Sequence, residues 1–473
     1  MKDYAVVGSG VGGSSIAAYL DSKGYDTVLF EKEPYLGGCS STFQHKGYSY
    51  NTGATTLAGY EEGQVVKEMF DSIGFTPNVI ATDPAIVIIQ NKKSTPRHRD
   101  LNKFLDIMEQ HYPHPKNRAF WTLVHDIGRK FYAMHGHYYA NRSAFSKALS
   151  LLSYLPLMFK FQKYLRTNAL DFITDFFGKI SPEYMRFLEA QVLIVAQAHT
   201  KKVNFFTAAL GLGYTFNETH YPLGGFGNVF KGITASMKDV RVNSEVIKVE
   251  RENGYFILHT KKDIILTKKL ILNSTVYDSG DLFEDKPVKQ YYKRYKHLDN
   301  HQSSFMLYLT IKSDAKFAHH YQMIQDKNYP HTLSNALFTS FSDKEDGMIC
   351  KKGHYSITAS IHTDNRWWDD KHTYEKQKDE LMHLLLDTIC DTLDIKESQI
   401  IHKFAATPKT FKHYINRSQL GGNPITMKNF LPRLPGNDTP IKNLYHVGDS
   451  VYAAQGWPGV MLGVKNLKKL LHV

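Results

Sequence analysis

Asp3-Tyr4-Ala5-Val6-Val7-Gly8-Ser9-Gly10-Val11-Gly12-Gly13 opens the chain. A helical run follows, then Thr27-Val28-Leu29-Phe30-Glu31, and then Gly37-Gly38. The order is a short apolar strand, a glycine turn, a helix, and a second strand ending in an acid. Each part has a task in holding a dinucleotide. Gly8 permits the tight turn, Gly10 lets backbone approach a pyrophosphate, and Gly13 lets the helix pack close to the strand. The helix N-terminus offers free N–H groups and the positive end of its dipole to phosphates. Glu31 stands eighteen residues past Gly13, where a carboxylate accepts hydrogen bonds from ribose hydroxyls and repels a 2′-phosphate. The turn alone does not separate FAD from NAD. The Gly37-Gly38 pair favours FAD by allowing a second close backbone approach to the same cofactor.

At 473 residues and 42% apolar content the chain has room for two to four globular domains. The three cysteines, Cys39, Cys350 and Cys390, are far apart and lack metal-ligand spacing; a disulfide framework is not expected, and a reducing compartment is. A nucleotide-binding strand that begins at residue 3 leaves no space for a signal peptide, which points to the cytoplasm or to the cytoplasmic face of a membrane.

The formal charge is +12 and unevenly spread. Residues 101–170 hold ten Lys and Arg against three Asp and Glu, a net of +7. The same region carries twelve uncharged residues, 148–159, between Lys147 and Lys160. That run is too short to cross a bilayer. It fits either a helix lying in a membrane interface with lysines against anionic headgroups or a partly buried helical hairpin. No nucleic-acid motif accompanies the charge.

Along the chain, residues 76–222 read as largely helical after a β segment at 85–89. Ser181-Pro182-Glu183 is a helix start, with a capping hydroxyl, a proline suited to the first turn and an acid on the dipole. Strands are expected at 242–249, 255–260, 270–272, 305–311 and 444–447, a helix at 374–393, and a last helix starting at Pro458.

From Gly38-Cys39 through Asn51-Thr52-Gly53-Ala54-Thr55 the chain resembles the phytoene desaturase-like flavoproteins, which include carotenoid desaturases, carotenoid isomerases and retinol saturases. Tyr221-Pro222-Leu223-Gly224-Gly225 matches that group's P-x-GG turn. Thr407-Pro408-Lys409-Thr410 through Tyr414, with Gly421-Gly422, matches a second segment. Val447-Gly448-Asp449 with Gln455-Gly456-Trp457-Pro458-Gly459-Val460 matches its C-terminal flavin motif.

The resemblance implies an α/β fold. A Rossmann-type, glutathione reductase-like FAD-binding domain (1–75, 223–280 and 440–473) would be interleaved with an α+β substrate domain (76–222 and 281–439) whose helical part, near 101–178, faces a membrane. It implies FAD held by Gly8, Gly10, Gly13, Glu31, Gly37, Gly38, the backbone of Val246, Gly448, Asp449, Gly459 and Val460. Gly456, Trp457 and Pro458 would lie beside the isoalloxazine, with the Trp457 indole walling the substrate cavity. Asn51 replaces a common Asp and cannot be a carboxylate base. Cys39 stands where amine oxidases often carry Arg.

The implied activity is desaturation of a long apolar polyene by hydride transfer to flavin, by an enzyme peripheral to a membrane, with an unnamed electron acceptor. Isomerisation and saturation are the alternatives within the group. Amine oxidation is a further class, disfavoured by the C-terminal motif. A prenyl-lipid escort protein is the non-enzymatic reading, disfavoured by the intact glycine turn, Glu31 and Gly448-Asp449. The paired histidines (111 and 114, 135 and 137, 319 and 320) lack a third ligand in any metal pattern. His199, after an apolar helix, fits either a residue facing the substrate cavity or a satisfied core histidine, the second being favoured.

Overall fold

The computed structural model describes residues 1–132, 136–417, 419–423, 425–429, 433–452 and 455–473. His135 lies outside them.

Two seven-stranded sheets organise the chain. At the centre of the first lies the Lys2–Val7 strand, charged at Lys2 and Asp3 and buried over Tyr4–Val6, parallel to Thr27–Phe30 on one side and to Ile264–Leu272 on the other. Val240–Arg241 extends the sheet beyond Thr27–Phe30. The antiparallel strands Tyr255–Thr260 and Val246–Glu252 extend it past the first half of Ile264–Leu272. The second half of that strand instead pairs in parallel with Leu444–His446. The carboxyl ends of three parallel strands from distant parts of the chain therefore meet at one edge, the position where open α/β sheets bind ligands. The helices Val11–Ser22 and Gly456–Leu471 pack together on this sheet.

The second sheet runs Ile400–Ala406, Gln302–Lys312, His354–Asp364, Ala336–Phe341, His320–Ile324, Ile86–Gln90, Lys93–Arg97. Tyr374–Leu393 covers one face, burying Leu381, Leu385 and Ile389 against Phe305, Leu307 and Leu309. The hairpin Thr42–His45/Tyr48–Asn51 lies on the other, where Tyr308 and Thr358 bond to the carbonyls of Thr52 and Asn51. A helical layer from Leu101–His111 to Phe205–Gly213 packs a third core around Trp121, Phe120 and Phe205. Ser181 caps its helix by accepting from the Tyr184 N–H.

The strand expected at 242–249 is interrupted. Val240–Arg241 and Val246–Glu252 flank a segment in which Asn243 has φ 50° and the Ser244 N–H bonds to the Glu31 carbonyl. The last helix begins at Gly456, so Pro458 is its third residue and still needs no N–H partner.

The apolar run at 148–159 bends at Ser153 and Tyr154 between the helices Ala144–Leu152 and Leu155–Arg166. Phe145, Leu149 and Leu152 repeat at i, i+4 and i+7 on the first; Leu155, Met158 and Phe159 repeat at i, i+3 and i+4 on the second. All six are exposed, Phe145 at 77% and Phe159 at 74%. Of the two readings of this run, a partly buried hairpin accounts for Phe161 and Ser150 but not for these six. Among the described residues no helix is long and apolar enough to cross a membrane.

Candidate functional site: a cleft at the strand ends

A cleft of about 560 Å³ opens along that sheet edge. Its floor is the glycine turn. Gly8 has φ +97°, which only glycine adopts without strain. A Cβ on Gly13 would stand 2.0 Å from the Gly8 carbonyl oxygen, so helix and turn meet backbone to backbone. A Cβ on Gly10 would stand 2.6 Å from Asn273 Nδ2. Asn273 is the first residue past Ile264–Leu272, its N–H donating to the Val7 carbonyl at 2.9 Å. Its side chain also packs against Gly13 and Gly448, so one amide wedges the first turn against the C-terminal one. A lone Asn carries no motif; the clue was its place as the first polar residue beyond an apolar strand. Ser274 and Thr275 continue the same wall.

Glu31 ends its strand at the cleft. One oxygen accepts from the Ser9 N–H at 3.0 Å and from the Ser9 hydroxyl, the other from the Glu33 N–H at 3.0 Å. The fully buried Ser9 hydroxyl also accepts from the Gly37 N–H at 3.1 Å, tying the second glycine pair to the first turn. Gly37 has φ +114°, and Phe230 fills the space a Cβ there would need. Ser244 to Ile247, Val246 among them, form the wall near Glu31.

The far end is built differently. Gly448 (φ +116°) leads to Asp449, whose carboxylate is held in a two-point ion pair by Arg417, at 3.0 and 3.1 Å. Arg417 also donates to the Gln419 carbonyl. Sequence reading missed Arg417, which stands in an irregular loop thirty-two residues before its partner. Cys39 borders this end, and burial pushes its thiol up to about 11, so it stays protonated. The cation here comes from Arg417.

Gly456, Trp457 and Val460 border the cleft. The Trp457 indole is packed into the core behind this border: at 3% exposure it stacks on Phe226 at 5.2 Å and meets Phe230 and Phe70, with Nε1 lacking a partner among the described residues. The Pro458 ring lies against Gly59, and Gly459 bonds through its N–H to the Gln455 carbonyl. Asn51 is occupied elsewhere, its oxygen accepting from the Thr42 hydroxyl and the Phe226 N–H. His199 pairs with Glu189 at 2.6 Å. Among the described residues no cluster of three or more His, Cys, Asp or Glu fits a metal.

The fold is a dinucleotide-binding type of α/β sheet joined to a second, mixed sheet and a helical layer. Residues 6–73 match the family described as an NAD(P)-binding Rossmann-like domain. The chain is similar to prolycopene isomerase of Daucus carota, at 25% identity over 96% of this chain and 77% of that protein. It is also similar to the 4,4′-diapophytoene desaturase of Staphylococcus haemolyticus, at 23% identity over 98% and 97%. The chain is thus similar over nearly its whole length to proteins named as carotenoid isomerases and desaturases. Its fold is shared with an oxidoreductase of Methanosarcina mazei (TM-score 0.66, 16% identity, 99% and 100% covered) and with a putrescine oxidase (TM-score 0.62, 11% identity, 100% and 99% covered).

Proposed function

We propose that the protein is an FAD-dependent oxidoreductase that desaturates a long carotenoid-type polyene drawn from a membrane surface. The observation that carries this reading is the gathering of Gly8–Gly12, Glu31 and Gly448-Asp449 on one cleft, in a chain similar over nearly its full length to enzymes named for carotenoids. Its residues suit FAD: a glycine cradle too tight for a Cβ, a carboxylate held by Ser9 for ribose hydroxyls, and a helix N-terminus at Val11 for the pyrophosphate. Gly37, Gly38 and the Val246 backbone would serve the adenosine end; Asp449 with Arg417, Gly456, Gly459 and Val460 would serve the flavin end. The domain division 1–75, 223–280 and 440–473 against 76–222 and 281–439 belongs to the same proposal.

FAD bound there supplies the two-electron acceptor that desaturation requires. The chain's own part is to bind, orient and exclude water. The helix starting at Gly456 directs its positive end toward the cleft and favours negative charge there. Arg417 neutralises Asp449, so the carboxylate does not repel a diphosphate across the cleft.

Isomerisation is the second reading, favoured by the prolycopene isomerases among the relatives. The two separate in one anaerobic turnover of FAD-loaded protein with a cis-polyene. Desaturation gives a product two hydrogens lighter and one reduced flavin per product. A product of unchanged mass and altered geometry sinks desaturation in favour of isomerisation.

The membrane part rests on the six exposed apolar residues of the hairpin beside Lys147, Lys160 and Lys163. Pelleting with anionic liposomes should weaken as salt rises, since screening acts over about 8 Å at physiological ionic strength. Phe145→Glu with Phe159→Glu should abolish it. Undiminished pelleting of that variant would remove the hairpin from the proposal.

A further inference from the structure

Gln302–Lys312, His354–Asp364 and Ala336–Phe341 are interior strands of the second sheet, yet four of their residues on one face are only partly buried. These are Ser304, Phe338, Ser360 and His362. Their strand neighbours Ser303, Phe305, Leu337, Thr339, Ala359 and Ile361 are buried. Ser304 lies opposite His362, and Ser360 opposite Phe338, so the four form one contiguous patch. Open space inside the molecule, on the side away from Tyr374–Leu393, is what an accessible patch on interior strands requires.

The patch borders the cofactor cleft. Gln197, bonded to His362, lies 2.5 Å from where a Cβ on Gly421 would stand. A Cβ on the next residue, Gly422, would stand 2.3 Å from the Asp449 carbonyl oxygen. One thickness of chain separates the two.

Its hydrogen-bonding character is defined. The Gln197 amide nitrogen donates to the Ile194 carbonyl at 3.0 Å, and its oxygen accepts from Gln302 Nε2 at 2.7 Å. That oxygen also meets His362 Nε2 at 3.0 Å, so Nε2 carries the proton and Nδ1 presents a lone pair. Nδ1 and the hydroxyls of Ser304 and Ser360 have no protein partner among the described residues and are not sealed from solvent. Burial, with His199 nearby, presses His362 down to about 4, so it stays a neutral acceptor at neutral pH. A hydrocarbon seated on the patch would strip these groups of water without replacing it. An ether or carboxylate offers Nδ1 no proton. A hydroxyl donates to Nδ1 and accepts from a serine.

We infer that this patch is a binding site for the hydroxyl end of an apolar chain, so that the preferred substrate is an alcohol-bearing polyene with its reacting bond near that end. The chain's identity as a polyene rests on the proposed function; the hydroxyl preference does not.

The test uses purified holoprotein and two ligand sets. One is lycopene with its 1-hydroxy and 1-methoxy derivatives, followed through flavin absorbance. The other is farnesol with farnesyl methyl ether, followed by calorimetry. In both sets the alcohol should bind about five- to tenfold tighter than its ether, as one added hydrogen bond predicts. His362→Phe and, separately, Ser360→Val should erase that ratio while flavin content, the measure of folding, stays unchanged. Equal affinity of alcohol and ether in wild-type protein overturns the inference, as does a preference that survives both variants. Farnesol preferred through His362 with no polyene bound would overturn the polyene reading and leave the hydroxyl site standing.

Discussion

At the Glu31 end of the cleft the backbone shapes the site: left-handed glycines, a helix start, and carbonyls too close for any side chain. At the Asp449 end the shape comes from side chains, with Arg417 clamping a carboxylate and the Trp457 indole filling the core behind the backbone that borders the cleft. Backbone-built sites have few solutions and tolerate no added atom. Side-chain-built sites admit substitution wherever charge and volume are kept. The difference predicts that substitutions at the Glu31 end cost more than substitutions of like charge and volume at the Asp449 end.

The largest effect should follow Gly13→Ala. Its methyl would collide with a carbonyl that cannot move without breaking the turn, a rigid clash whose cost exceeds about 4 kcal/mol. Flavin titration and thermal melting should both fail to show a native transition with bound cofactor. A variant that melts like wild type would mean the turn is not backbone-limited. Arg417→Met comes next, because it strands the Asp449 carboxylate at about 3 kcal/mol. Adding Asp449→Asn should restore most of the loss in denaturant unfolding; additive losses would show that the pair is not a unit. Glu31→Gln keeps the shape and removes one charge. It should weaken FAD about thirtyfold, the equivalent of roughly 2 kcal/mol for a charged hydrogen bond, without moving the melting point of the apoprotein. Trp457→Phe should do least, under about 1.5 kcal/mol of stability, because the indole N–H it removes has no partner among the described residues and the stacking on Phe226 survives. A change in product profile with that variant would return the residue to the substrate cavity.

The same contrast decides what could be read from the chain alone. Gly8, Gly13, Gly37 and Gly448 were legible because positive φ and close approach admit almost no other residue. Glu31 was legible because strand length sets its distance from the turn. Ser9 and Asn273 were hidden, since a serine or asparagine acts here only through contacts brought together by the sheet, Asn273 from some 260 positions away. Arg417 was hidden for the same reason. The fate of Trp457 depended on Phe226 and Phe230, which no local pattern ties to it. Helix ends marked by caps, as at Ser181, agreed; the break at 242–245 followed from the backbone of Asn243, which Asn enters more readily than most residues.

Asn273 and Gly448 meeting the first glycine turn also sets an order in time. Residues 8–13 leave a ribosome well before the amide and the second turn that complete their cleft. At roughly 5–20 residues per second of synthesis, the nascent turn waits roughly 20–90 s for residue 448. Until then the first helix lacks the Val464 and Leu467 side of the last helix that covers it. Cofactor capture is therefore a late event in the life of each new chain, and any pause between the two turns lengthens its exposure to aggregation and proteolysis.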